Sequence, residues 1–385
     1  MTINVFETLA LLVLFLILGY YLNGKIKFFY ENYIPAPVIG GVIFSVILLI
    51  LRNFMKVKLD IEYGDLGAVA MGIFIGSIGF RFTYHIFKTT IWKTLQYFGI
   101  VVLIVSIQNI VSFSLGALFN KSIYESAVLG SIGFMGDYST TSKLTEFILQ
   151  TDYASLFKNI SDVTLYLGVI GVILTFKVFL KKKVNLEHNI KVPQVLLTPK
   201  KFLNYLGILL FIALVGLLPY FINNSRIFTT AGGPLLVGMF TRWIIDKFIE
   251  DKDTEIDNWT VNFIGNFSLS VLLISVFAKS NPFAIFSLDP YSLFICIVQV
   301  AWLIAFAVFV VFKIYKKDAL ASYIAAGTVG FSVGIPPSTM SVIQNLTEVE
   351  GAQPYFLFIV PPGAAWLITI INPIEVLLFL KLFGG

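Results

Sequence analysis

Long apolar runs separated by short polar stretches follow one another along almost the whole chain. Most runs approach or exceed the roughly 20 helical residues that cross a hydrocarbon layer of about 30 Å. The pattern predicts ten membrane spans, near 7–23, 35–51, 64–80, 95–119, 161–180, 202–222, 231–247, 262–278, 290–313 and 355–382. The stretches between these spans are too short to form a soluble domain.

Two further stretches, 122–150 and 318–347, are apolar at their flanks but interrupted in the middle by glycine, proline and hydroxyl residues. Non-helical backbone at membrane depth is tolerated only where it is buried in protein or lines a wet cavity, because unpaired N–H and C=O groups are costly in lipid. We therefore interpret both stretches as broken, re-entrant segments whose freed backbone groups serve a ligand or ion.

The chain contains an internal repeat. Matching residues recur 197 or 198 positions apart: Gly40 with Gly238, Gly67 with Gly265, and GSIGF at 130–134 with GTVGF at 327–331. The repeat predicts an N-terminal half (1–180), a basic linker (181–201) and a C-terminal half (202–385). Five spans and one re-entrant segment per half place the start of the second half on the opposite side of the membrane, so the repeats are predicted to be inverted. Inverted repeats with interrupted segments at matching positions are typical of secondary transporters.

The composition agrees with an all-α polytopic membrane protein: of 385 residues, 57% are hydrophobic and only 13% charged. The formal charge of +5 does not indicate affinity for nucleic acid. In a membrane protein the distribution of Lys and Arg reports orientation, because these residues concentrate in cytoplasmic loops. The linker is therefore predicted to be cytoplasmic and both termini to face outward. One cysteine, Cys296, and two histidines exclude a disulfide framework and a Cys/His metal site, and nothing predicts an organic cofactor.

The broken segments carry the candidate site. Their glycines are predicted to adopt backbone angles that other residues avoid and to leave room for a ligand; these are Gly133, Gly136, Gly330 and Gly334. In the second segment Pro336 and Pro337 suit the first turn of a restarting helix, with Ser338 or Thr339 near its cap. In the first segment Ser139, Thr140 and Thr141 supply a helix start without proline.

Helix starts favour anions such as a carboxylate, whereas the carbonyls that end the preceding half-helices suit Na⁺. Asp137 strengthens this interpretation, because an intramembrane carboxylate marks a functional site by default. Its partner is Na⁺, a substrate amino group or Lys143; alternatively Asp137 caps a helix at the membrane surface.

Other polar residues within the spans are weaker candidates. Asn266 and Ser270 are predicted as cation ligands together with Asp137, or else as interhelical hydrogen-bonding residues. Asn372 in the last span is also predicted as a cation ligand, or else as a residue that lines the cavity or pins a kink. Gln108 and Asn109 line the cavity or merely pin a kink.

Four stretches of sequence carry a family resemblance: YIPAPVIGG (33–41), GNFSLS (265–270), AAGTVGFSVGIPPSTMSVIQNLTE (325–348) and FLFIVPPGAAWLITIIN (356–372). The chain resembles the bacterial glutamate:sodium symporter family over nearly its whole length. That resemblance implies Na⁺-coupled glutamate symport in the inner membrane by an elevator-like movement, two inverted halves with a hairpin in each, and a homodimer. It also implies that Gly133, Gly136, Gly330, Gly334, Ser338 and Thr339 line the substrate site.

The first broken segment departs from the family pattern. Where members of the family resemble SGGHGTG, this chain has FMGDYSTT (134–141). Asp137 adds a negative charge to a site for an anionic solute, which requires that it bind the amino group or a cation.

Two other functions would also use Asp137. A cation/proton antiporter or channel would titrate it during ion exchange. An intramembrane aspartyl protease needs a second, paired aspartate, and the nearest others, Asp65 and Asp162, lie at span edges.

Overall fold

The computed structural model describes residues 2–56, 60–135, 152–181, 197–223, 229–248, 256–351, 353 and 355–384. The chain divides into two compact units. Unit one comprises Met1–Ile91 and Asn189–Ser280, and unit two comprises Trp92–His188 and Asn281–Gly385. Each unit therefore contains a piece of both predicted halves.

The described helices run in chain order as follows: α1 (Val5–Lys25), α2 (Lys27–Glu31), α3 (Ala36–Asn53), α4 (Leu66–Phe80), α5 (Tyr84–Leu118), α6 (Ile123–Val128), α7 (Ser131–Met135), α8 (Ala154–Lys181), α9 (Pro199–Asn223), α10 (Gly232–Phe248), α11 (Asn258–Lys279), α12 (Pro290–Phe306), α13 (Phe312–Ile314), α14 (Ala319–Val333), α15 (Pro336–Glu350), α16 (Phe356–Pro361) and α17 (Ile368–Gly384). A 3₁₀ turn covers Ala284–Ser287, and π-helical turns at Ala307–Val311 and Pro362–Leu367 connect α12 to α13 and α16 to α17. Two strands of two residues, Thr2–Ile3 and Asp60–Ile61, pair in parallel.

Every predicted span corresponds to a helix or an interrupted helix. Within the described part of the chain, seven helices are long and apolar enough to cross a membrane, which makes this a polytopic membrane protein. The largest difference is at α5, predicted at 95–119 but 35 residues long. At 1.5 Å per residue it measures about 52 Å and extends beyond a hydrocarbon layer of about 30 Å. Its polar first turns, which include His85 and Lys88, conceal this extension from a hydropathy pattern.

Unit one is assembled through glycines at helix crossings. A Cβ at Gly40 of α3 would overlap the carbonyl of Phe15 in α1, and one at Gly238 of α10 would lie 2.7 Å from the carbonyl oxygen of Gly76 in α4. The two glycines that anchor the predicted repeat thus serve the same purpose, because each lets two helix backbones approach closely.

Unit two contains helices from both predicted halves, and each half packs its last span against the other. The last span of the first half, α8, packs against α14 and α15 of the second half. The last span of the second half, α17, packs against α6 and α7 of the first half. Each broken segment is therefore supported by the final span of the other half.

Candidate functional site

The second broken segment is a hairpin of two antiparallel helices, α14 and α15, joined at Gly334 and Ile335. The Tyr323 hydroxyl, near the start of α14, donates to the carbonyls of Leu346 at 3.2 Å and Gly351 at 2.7 Å, near the end of α15. The two ends of the segment therefore lie together, which is the geometry that a re-entrant segment requires.

Gly334 is extended, with φ −130° and ψ −169°, a conformation open to any residue. Gly133 and Gly330 are helical. The prediction of unusual backbone angles is therefore wrong for these three glycines. That they leave room for a ligand stays a prediction, and the contacts seen at Gly334 and Gly330 are with other protein atoms. A Cβ at Gly334 would lie 3.2 Å from the Cα of Gly168 in α8, and one at Gly330 would lie 2.5 Å from Thr339 Oγ1.

Pro336 and Pro337 are the first two residues of α15, as predicted. Ser338 and Thr339 are fully buried, but neither caps the helix: their hydroxyls donate to the Ile335 carbonyl at 2.8 and 3.5 Å. Both residues therefore lie near the cap residue Ile335, as predicted, without capping the helix themselves. Because the two prolines have no N–H, the first turn offers few donors to cap, and the hydroxyls bond to the nearest acceptor instead.

The first broken segment is described only as far as Met135, through α6 and α7. Gly133 lies in α7 and is buried. The remaining predicted residues of this segment fall outside the described part of the chain; they are Gly136, Asp137, Ser139, Thr140 and Thr141.

One turn of α8 brings the two broken segments together. The Thr164 hydroxyl of α8 donates to the Gly133 carbonyl of the first segment at 3.2 Å. Gly168, one turn further along the same face, packs against Gly334 at the turn of the second segment. The predicted residues Gly133 and Gly334 therefore lie against a single helical turn.

Side-chain amides on α5 and α12 hold the same segments in a reciprocal way. Gln108 of α5, in the first half, donates through Nε2 to the Ser332 carbonyl of the second segment at 2.7 Å. Gln299 of α12, in the second half, donates to the Gln108 carbonyl at 2.9 Å and to the Leu129 carbonyl of the first segment at 3.4 Å. Both glutamines are fully buried.

Asn109 and Asn372 converge on Ser131 in α7. Asn109 Oδ1 accepts the Ser131 backbone N–H at 3.0 Å, and Asn372 Oδ1 accepts the Ser131 hydroxyl at 2.5 Å. Asn372 thus joins the last span to the first broken segment.

Asn266 and Ser270 do not join this cluster within unit two. They belong to α11 in unit one, where the Ser270 hydroxyl donates to the Asn266 carbonyl of its own helix at 3.1 Å. The expected grouping of these two residues with Asn372 in one cation site is therefore not found within either unit.

The sequence prediction missed Gln299 and Ser332. Gln299 is the one strongly polar residue in the apolar run LFICIVQVAWLIAF (293–306), and that isolation was the signal that could have identified it. Ser332 gave no comparable signal, since a serine in a glycine-rich helix is unremarkable.

Charged residues lie at the beginning of the first segment and just before α12. Lys121 forms an ion pair with Glu125 at 3.0 Å, and this hydrogen bond raises the pKa of Lys121. Asp289 caps α12 by accepting the N–H groups of Tyr291 and Ser292. Burial opposes ionisation of Asp289, but the Ser292 hydroxyl, these N–H groups and the Lys121 charge outweigh it and lower its pKa.

Among the residues that the structure describes, no group of three His, Cys, Asp or Glu side chains could hold a metal ion. The polar groups that converge on the broken segments here are amides, hydroxyls and backbone carbonyls. Their oxygens are hard ligands of the kind that bind alkali and alkaline-earth cations.

Comparison with known proteins identifies the family. The sodium/glutamate symporter family profile matches residues 1–352. The chain belongs to the sodium/glutamate symporter family.

Individual members match over nearly their entire length. The sodium/glutamate symporter of Escherichia coli (strain K12) is 25% identical, over 98% of this chain and 99% of the relative. That of Haemophilus influenzae is 23% identical, over 96% of each chain. The resemblance found in the four sequence stretches is thereby confirmed, and the protein is a membrane transporter of this family.

Proposed function

We propose that the protein couples the entry of Na⁺ to the uptake of glutamate across a bacterial inner membrane by alternating access. The named relatives are sodium/glutamate symporters, and this chain matches them from end to end. The observation within the fold that carries the proposal is the single turn of α8 at Thr164 and Gly168, which contacts both broken segments.

The proposed solute lies between the two broken segments. A carboxylate of glutamate would accept hydrogen bonds at the start of α15, where the backbone donors are the N–H groups of Ile335 and Ser338. The corresponding start in the first segment, at Ser139–Thr141 beside Gly136, is proposed to face it. Asp137 would bind the amino group of the solute or Na⁺.

The proposed architecture consists of two inverted repeats whose parts are redistributed between the units. It is supported by the reciprocal packing of α8 and α17 and by the matched crossings at Gly40 and Gly238. In this proposal unit two carries the solute in an elevator-like movement and unit one forms the homodimer. The linker 181–201 faces the cytoplasm, and both termini face outward.

Transport into proteoliposomes tests the proposal. Purified protein is reconstituted with K⁺ inside, and an inward Na⁺ gradient is imposed in the presence of radiolabelled glutamate, aspartate, a neutral amino acid or a dicarboxylate. We expect glutamate to accumulate only with the Na⁺ gradient and the accumulation to collapse on addition of a Na⁺ ionophore. Protein-free liposomes are the control. Na⁺-independent equilibration, or no accumulation of any of these solutes, would refute Na⁺-coupled symport.

A further inference from the structure

Ser332, in the last turn of α14, carries a hydroxyl that makes no hydrogen bond to any described residue. It is fully buried, and its Oγ has no hydrogen-bond partner. The other buried serine and threonine on the same helix each donate to a carbonyl of their own helix: Ser322 to Ala319 at 2.6 Å and Thr328 to Ile324 at 2.7 Å. Ser332 does not make such a bond, so its Oγ is available to a ligand.

A second unpaired oxygen belongs to the residue that contacts Ser332. Gln108 donates through Nε2 to the Ser332 carbonyl, while its Oε1 is buried and has no partner. The orientation of this amide is fixed, because only its nitrogen can donate to a carbonyl. Two buried acceptor oxygens therefore belong to one pair of touching residues, and a buried polar group without a partner requires an explanation.

Backbone oxygens at the same helix end are also unpaired. Of the last carbonyls of α14, that of Gly330 accepts the Gly334 N–H at 2.8 Å and that of Ser332 accepts Gln108. No donor among the described residues reaches the carbonyls of Phe331 and Val333. The partner expected for Val333 in a continuing helix would be residue 337, which is proline and has no N–H. A helix end of this kind carries a partial negative charge.

We propose that Gln108 Oε1, Ser332 Oγ and the carbonyls of Phe331 and Val333 form a binding site for the coupling Na⁺ at the end of α14. All four groups present oxygen lone pairs, and the helix dipole favours a cation there. An anion would meet one donor, the Ser332 hydroxyl, and three acceptor oxygens. This assignment rests on the proposed Na⁺-coupled function and specifies where the ion binds. Its ligands do not include the earlier candidates Asn266 and Ser270.

Thermal unfolding of the purified protein without glutamate provides the test. NaCl is titrated against choline chloride at constant ionic strength. A ligand that binds only the folded state stabilises it by RT ln(1 + L/Kd), where L is the free ligand concentration, so the dependence of the unfolding midpoint on Na⁺ concentration gives the half-saturating concentration. We expect Ser332→Ala to raise the half-saturating Na⁺ concentration about tenfold, the loss typical of one contact to a charged group. Ser332→Thr, which keeps the hydroxyl, should stay within about threefold of the parental value.

Ser322→Ala is the matched control, because it deletes an equally buried hydroxyl from the same helix, one that is already bonded to its own backbone. It should leave the Na⁺ titration unchanged. Gln108→Met removes the second oxygen at similar side-chain length and should also raise the half-saturating Na⁺ concentration. If Gln108→Met fails to fold, the comparison of Ser332→Ala with Ser322→Ala still tests the proposed Na⁺ site.

The possible results distinguish a failure of the Na⁺ site from a failure of the proposed symport function. A Na⁺-dependent parental protein whose Ser332→Ala variant titrates identically would overturn the Na⁺ site, assign the unpaired oxygens to a buried water, and leave symport intact. A parental protein that NaCl stabilises no better than choline chloride would overturn the site. If that protein also shows no Na⁺-driven glutamate uptake, the proposed function fails with it.

Discussion

Replacing Gly168 by alanine should disturb the contact on which the proposed site depends. The added Cβ would lie 2.9 Å from the Gly334 Cα and 3.2 Å from the Gly334 nitrogen. Carbon atoms in contact ordinarily lie about 3.5–4.0 Å apart, so α8 and the turn of the second segment must separate by about 0.6 Å or more. Both partners are backbone, and no side-chain rotation can relieve the overlap.

The magnitude follows from two opposing effects. Overpacking of this kind costs about 1–3 kcal/mol, while alanine gains about 0.5–1 kcal/mol over glycine within a helix. We therefore expect a net loss of about 1 kcal/mol in stability. The effect on transport should be larger, because a displacement of about 1 Å at a binding constellation can cost about a hundredfold in rate. A displacement of about 0.6 Å predicts a fall of about tenfold in kcat/KM.

Initial rates of Na⁺-driven glutamate uptake, measured in proteoliposomes over a range of glutamate concentrations, test this expectation. Gly99→Ala is the matched control: Gly99 also lies within a helix of unit two, but a Cβ there would meet nothing within 4 Å. That variant should transport at the parental rate and be slightly more stable. Parental transport by both variants would refute the reasoning that the Gly168–Gly334 contact positions the site.

Three further predictions concern other parts of the fold. A double-mutant cycle of Ser131→Ala and Asn372→Ala should give a coupling energy of about 1 kcal/mol for their buried hydrogen bond, and additive effects on the unfolding midpoint would contradict that bond. Asp289→Asn keeps a capping oxygen but removes the negative charge at the start of α12, so it should destabilise the protein by about 0.5 kcal/mol at neutral pH. Because folding lowers the pKa of Asp289, its contribution is present above pH about 4 and lost as the pH falls further, so the difference from the parental protein should disappear in acid; a constant difference would contradict this. A cysteine introduced at Lys191 should react with an impermeant thiol reagent only from the cytoplasmic side, against a low background because Cys296 is buried, and labelling from outside would reverse the predicted topology.

The positions of the helices could be predicted from the sequence better than the contacts between them. Each span was recognisable because an apolar run of sufficient length has few alternatives to a helix. The second hairpin was recognisable as well, since Pro336 and Pro337 cannot continue a helix but suit its first turn. Neither signal reports which helices touch.

Partners depend on contacts between distant residues. The support of each broken segment by the last span of the other half follows from local fits such as Gly168 against Gly334, and a single sequence does not reveal which glycines face each other. For the same reason Asn266 looked equivalent to Asn372, although they lie in different units. The acceptor of the Ser338 hydroxyl, the Ile335 carbonyl, could not be identified from the sequence, because it is freed only by the shape of the turn.

Equilibrium binding of radiolabelled glutamate to the purified protein, titrated with Na⁺, tests most directly the claim that solute and ion are bound together. We expect the glutamate Kd to fall steeply as Na⁺ replaces choline. By thermodynamic linkage, glutamate should lower the half-saturating Na⁺ concentration by the same factor. A glutamate Kd that does not change with Na⁺ concentration would contradict coupled binding and, with it, the proposed symport.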